Sequence, residues 1–212
     1  MSHAELDSPV PTPEGESAPV AVVRKRPKPG ERRVQILEAL ATMLEQPGAE
    51  RITTAALAAR LEVSEAALYR HFASKAQMFE GLIEFIEQSV FTLINQIAER
   101  EPAGAGQAGR IVAMLIQFAE KNPGMTRVMV GDALVFENDR LQQRMNQFFD
   151  KVEASLKQCL RASADAATPT VDAAVRASVL TAFTVGRLQR FARSGFKRLP
   201  SEHLDASLAR ML

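Results

Sequence analysis

The chain has 212 residues, enough for one large domain or two small ones, and its 46% hydrophobic and 24% charged residues are those of a globular protein. The net charge of +1 is unevenly spread: residues 1–23 carry four acidic side chains and no Lys or Arg, while 24–75 carry ten Lys/Arg against six Asp/Glu. No apolar run approaches the ~18–20 residues of a membrane-spanning helix, and an acidic N-terminus is the reverse of a secretory signal, so membrane insertion and export are not expected.

Six of the eleven prolines fall within the first thirty residues. Such a stretch buries too little apolar surface to offset the entropy of ordering, so residues 1–28 are expected to be a disordered tail. Its end, Arg24-Lys25-Arg26-Pro27-Lys28, is a basic arm leading into Arg32 and Arg33. One cysteine, Cys159, leaves no internal disulfide, and it lies on an apolar helical stripe; a reduced, cytoplasmic setting is expected.

Beyond the tail the apolar residues follow a helical period. Val34, Leu37, Leu40, Ala41 and Leu44 form a first stripe that Pro47-Gly48 ends. Leu57 and Leu61 mark a short helix after Thr53-Thr54, and Leu68 and Phe72 another after Ser64. A long helix starts at Ser74, which forms a capping box with Gln77; its stripe is Phe79, Leu82, Ile83, Ile86, Val90, Leu93 and Ile97, up to Pro102. Ile111, Val112, Leu115, Ile116, Phe118 and Ala119 predict a helix apolar on most sides, hence central. Asn122-Pro123-Gly124 breaks the chain. Leu141, Met145, Phe148, Val152, Leu156 and Cys159 mark a long helix, followed by one over 171–193 and a short one over 201–212. The fold class is all-α, divided into the tail (1–28), a helix-turn-helix unit (29–75) and a larger helical unit (76–212).

Residues 52–72 hold two helices of about two turns each, too short to persist unless docked on a third. Ala58 and Ala59 permit close approach, and Val63 plugs the corner. In that geometry the second short helix stands proud enough to enter a major groove about 12 Å wide. The candidate DNA contacts are Thr53, Thr54, Ser64, Glu65, Ala66, Ala67, Tyr69, Arg70, His71 and Lys75, with Arg24 and Arg26 from the arm. Hydroxyls and helix N-termini suit phosphate, and the two alanines leave room for a base edge or a thymine methyl. Glu62 stands where such turns often carry Gly; a positive φ there costs on the order of 1 kcal/mol.

The run from Ile52 to Lys75, with Ala-Leu-Tyr-Arg-His-Phe-x-Ser-Lys at its centre, resembles the DNA-binding domain of the TetR family of transcriptional regulators. That resemblance implies an all-α homodimer on palindromic double-stranded DNA, with a C-terminal domain for dimerisation and often for sensing a ligand. Further segments (Leu82-Ile-Glu-Phe-Ile-Glu87, Asn122-Pro-Gly-Met-Thr-Arg127, Gly131-Asp-Ala-Leu-Val-Phe-Glu-Asn-Asp-Arg-Leu-Gln142, Arg144, Asn146-Gln147 and Glu153-Ala154) resemble the family's nucleoid occlusion factors. The implied partner is FtsZ, the tubulin-like division protein, whose assembly the DNA-bound form antagonises. By that resemblance Phe85, Lys121 and Asn122 receive the FtsZ tail, with Leu93 where a basic residue is expected. A purely core role for Phe85 stays open, as does a conventional repressor released by a small effector.

Small residues recur at Ala174, Ala177, Ser178, Thr181, Ala182 and Gly186, which allows close helix approach across a dimer interface or within one chain. No constellation for catalysis or metal binding assembles: His3, His71 and His203 are scattered, and no Cys/His cluster has ligand spacing. No cofactor, metal or enzymatic activity is expected.

Overall fold

A computed structural model describes residues 30–46, 51–161 and 169–212, the last segment without the Pro169 side chain. Arg24, Arg26, the tail and Pro47-Gly48 lie outside the described residues. Every regular element among the described residues is helical: α1 (Glu31–Leu44), α2 (Thr54–Arg60), α3 (Glu65–Tyr69), α4 (Lys75–Arg100), α5 (Ala105–Lys121), α6 (Pro123–Met129), a 3₁₀ turn (Asp132–Leu134), α7 (Asp139–Arg161), α8 (Pro169–Arg193) and α9 (Leu204–Met211).

Helices α2, α3 and α4 owe their starts to side-chain caps. The Thr53 hydroxyl accepts from the Ala56 N–H at 3.1 Å and the Ser64 hydroxyl from the Ala67 N–H at 3.3 Å, each satisfying a donor that the first turn leaves orphaned. Ser74 caps α4 by accepting from the Gln77 N–H. The return bond of the expected capping box shifts by one residue, since Gln77 Oε1 accepts from the Ala73 N–H rather than from that of Ser74. Between α2 and α3, the Val63 N–H donates to the Ala58 carbonyl and the Glu62 N–H to the Ala59 carbonyl. This is the paired closure that puts the residue after the C-cap in the left-handed region. Glu62 has φ 53°, the strained position its sequence context suggested.

Packing corrects several stripe assignments. Val34 is 54% exposed while Ile36 is fully buried; at 100° per residue Val34 lies about 120° round the helix from Leu40, off the core face. Ala58 is buried against its neighbours, but Ala59 is exposed and has no part in the close approach. On α4, Ile94 takes the buried position and Leu93 only its edge. Phe72 is buried beyond the end of α3 rather than within it, and 201–203 form a turn ahead of α9.

Helix α5 is the centre of the larger half, packing on α4, α6, α7 and α8, with Ala108, Ile111, Val112, Leu115, Ile116 and Ala119 all at zero exposure. Phe148 of α7 is equally buried, edge-on to Phe91 and Phe149. The Asn-Pro-Gly segment, expected only to break the chain, starts a further helix, with Pro123 at the position where its missing N–H costs nothing. That helix joins the halves: a Cβ on Gly124 would overlap the Ala41 carbonyl oxygen, so α6 rests backbone to backbone on α1.

Candidate nucleic-acid interface

Around α3, Ser64, Glu65, Ala66, Tyr69, Arg70 and His71 are exposed, Ala67 is half-buried and Leu68 beneath them is fully buried. Burying Leu68 and Phe72 is what turns the opposite face outward. Thr53 is exposed and Thr54 half-buried. Three of the candidates bind one another: Thr54 Oγ1 donates to Glu65 Oε2 at 2.5 Å, and the Tyr69 hydroxyl donates to Thr54 Oγ1 at 3.4 Å. Tyr69 is 44% exposed, and its hydroxyl is oriented by α2.

Two cations behave differently from their sequence reading. Arg33 donates from Nη1 to the His71 carbonyl at 3.0 Å and lies 4.1 Å from the centre of the Phe72 ring. It ties the start of α1 to the end of the α3 segment, a role no local pattern marks because the acceptor is a backbone carbonyl 38 positions away. Lys75, expected as a phosphate contact, holds its ammonium against Glu137 Oε1 at 2.5 Å, with the two side chains 30% and 9% exposed. Nearby, the Arg51 guanidinium lies 4.8 Å from the centre of the Phe136 ring.

The ion pairs continue along α4, where Arg140 meets Glu80 at 2.6 Å and Arg144 grips both oxygens of Glu87 at 3.2 and 2.6 Å. The bond to Glu87 raises the Arg144 pKa above its ordinary value, against the opposing effect of burial. Burial pushes the Cys159 thiol up, which keeps it protonated and inert.

The three residues assigned to a partner tail have unlike surroundings. Phe85 is 48% exposed, so it is not core. Lys121 is exposed at the end of α5, whereas the Asn122 side chain donates from Nδ2 to the Phe118 carbonyl at 2.7 Å and so closes that helix. On α8, Ser178 and Ala182 are exposed and Ala174 and Gly186 half-buried. Ala177 and Thr181 depart from the expected face: Ala177 is fully buried and Thr181 8% exposed within the single chain, its hydroxyl donating to the Ala177 carbonyl. What the small-residue pattern missed is a row of exposed valines, Val171 (62%), Val175 (58%) and Val179 (48%), which the four-residue spacing places on the face of Ser178 and Ala182.

Comparison with known proteins accounts for both halves. Residues 36–82 match the family described as bacterial regulatory proteins, tetR family, and residues 107–211 match the SlmA-like C-terminal domain, described as tetracyclin repressor-like. The nucleoid occlusion factor SlmA of Idiomarina loihiensis is 53% identical over 177 residues, covering 82% of this chain and 90% of that protein. The chain belongs to the TetR family, in its SlmA branch. SlmA of Vibrio cholerae is 50% identical over the same shares of the two chains. Solved TetR-family structures share the fold at far lower identity. The fatty acid degradation regulator FadR of Bacillus halodurans superposes with a TM-score of 0.71 at 12% identity, over 88% of this chain and 97% of that one. The TetR family is one of regulators and not of enzymes. Among the described residues no helix is long and apolar enough to cross a membrane, and no cluster of three or more His, Cys, Asp or Glu is placed to hold a metal.

Proposed function

We propose that this protein is a nucleoid occlusion factor: a homodimer that binds palindromic DNA across the chromosome and, when bound, blocks assembly of the FtsZ ring over it. The observation that carries this reading is the 53% identity to a nucleoid occlusion factor over 177 residues, running through a head whose α3 face is outward and polar. Residues 29–75 act as the DNA-binding head and 76–212 as the dimerisation and partner-binding body, in the cytoplasm and on the nucleoid. Ser64 and Thr53 meet phosphate at capped helix starts, Ala66 and Ala67 approach base edges, and Tyr69, Arg70 and His71 brace the backbone. Thr54 and Glu65 act mainly by orienting Tyr69, and the basic arm with Arg24 and Arg26 adds backbone or minor-groove contact.

The valine face of α8 supports the dimer. Three branched side chains in water on one face are unfavourable unless covered, and a second copy covers them by forming a four-helix contact through Ser178, Ala182 and Gly186. The pair then sets its α3 segments about one helical turn, roughly 34–36 Å, apart. An acidic extended tail of FtsZ meets Lys121 and the exposed Phe85 ring. The conventional-repressor reading has one observation in its favour, a cleft of about 320 Å³ between α4, α5 and α7 bordered by Asn95, Gln107, Gln158 and Cys159.

Sedimentation of purified FtsZ polymers separates the two. Specific DNA together with this protein is expected to reduce the pellet more than the protein alone. A pellet indifferent to DNA, with a small effector releasing the DNA instead, would favour the repressor.

A further inference from the structure

Two cations of the head close on one turn of the body. Lys75, the first residue of α4 and six positions beyond the end of α3, is bound to Glu137, and Arg51, just ahead of α2, stacks on Phe136. The turn they grip runs from Gly131, at φ 85°, through the 3₁₀ turn to Asn138, and its Val135 (70%) and Phe136 (59%) are the most exposed large apolar side chains near the head. This turn packs on α6 and α7 and so belongs to the body.

From this we infer that Glu137 is the internal competitor of DNA phosphate for Lys75, so that occupancy of the head by DNA opens the clasp on turn 131–138. The inference rests on the reading of the head as a DNA-binding unit and extends it. The Lys75 ammonium satisfies one anion at close range, and a phosphate that recruits it leaves the Glu137 carboxylate, 9% exposed, without its counter-charge. A carboxylate so buried does not stay in place unpaired; it reaches water only if the turn moves. Binding of DNA and closure of the turn are therefore opposed, and by linkage whatever loosens the one favours the other.

The consequence extends to the candidate partner surface. Turn 131–138 leads directly into α7, whose Arg140 and Arg144 are paired with Glu80 and Glu87 of α4, and Glu87 lies two residues from the exposed Phe85. Glu137 is thus a positioning residue. It touches no DNA, yet it sets what Lys75 must give up on binding and where the strain of binding is delivered.

The test is a double-mutant cycle with a duplex selected by the wild-type protein from a random library, titrated over a range of salt. Glu137→Gln is expected to tighten binding by about 3–10-fold, the size of a partly buried ion pair plus relief of repulsion from phosphate. The gain is expected to vanish when Lys75→Ala is present, and Lys75→Ala alone is expected to lower the salt slope of log K by about 0.9. Hydrogen exchange supplies a readout that a strut would not move. Amides of 131–138 exchange faster when wild type binds DNA, and in Glu137→Gln they are fast already and indifferent to DNA. Glu137→Asp, which keeps the charge but shortens the reach, serves in the same way should the amide variant fold poorly. Unchanged or weaker DNA binding by the folded variant would overturn the inference, as would tightening that persists without Lys75. A wild-type protein that selects no duplex would instead remove the DNA reading itself, and this inference with it.

Discussion

The head and the body are held together by different means. In the head, α2 and α3 have seven and five residues, too few to form alone; hydroxyl caps, a strained turn and one buried leucine apiece keep them in place. In the body, α5 has seventeen residues with six apolar side chains at zero exposure, and burial alone is ample. Stability is concentrated where the helices are long, and the surface offered to a ligand is concentrated where they are short. Local opening free energies are expected to follow that division, which puts the candidate interface on the part of the molecule that opens most cheaply.

Substitutions in each half probe this division. Phe148→Ala in the body is expected to cost about 3–5 kcal/mol in global stability by urea denaturation, and a loss under about 1 kcal/mol would show that the α4–α7 contact is slack. Gly124→Ala, which drives a methyl into the Ala41 carbonyl, is expected to cost about 1–3 kcal/mol and to loosen α1 on α6. Unaltered α1 hydrogen exchange in that variant would mean that the halves are joined elsewhere. Ser64→Ala is expected to cost about 1 kcal/mol, visible as faster exchange confined to α3. Glu62→Gly is expected to stabilise the head by up to about 1 kcal/mol while leaving the body untouched. An equal change in both halves would make the molecule one cooperative unit and end the comparison.

Much of this was legible from residue spacing. The α7 stripe from Leu141 to Cys159 and the α5 block, apart from the half-buried Phe118, are buried where the period put them, because a core face is a local property of one helix. The head was legible because caps, small residues and the Ala-Leu-Tyr-Arg-His-Phe run are local too. Contacts between distant segments left no such trace. The helix at Pro123 was hidden by residues that usually end helices, and its purpose depends on Ala41, some eighty positions earlier. Lys75 read as a phosphate contact because its ion-pair partner, 62 positions away, leaves no local mark. On α8 the small residues pointed at an interface, but only the positions of α5 and α7 decide that Ala177 and Thr181 turn inward and Val171, Val175 and Val179 outward.

Genome-wide occupancy by crosslinking and sequencing is the decisive measurement for nucleoid occlusion. Many palindromic sites are expected along the chromosome, sparse near the replication terminus, all lost in Tyr69→Ala. A single site beside the protein's own gene, or a full set of sites retained by that variant, would contradict it.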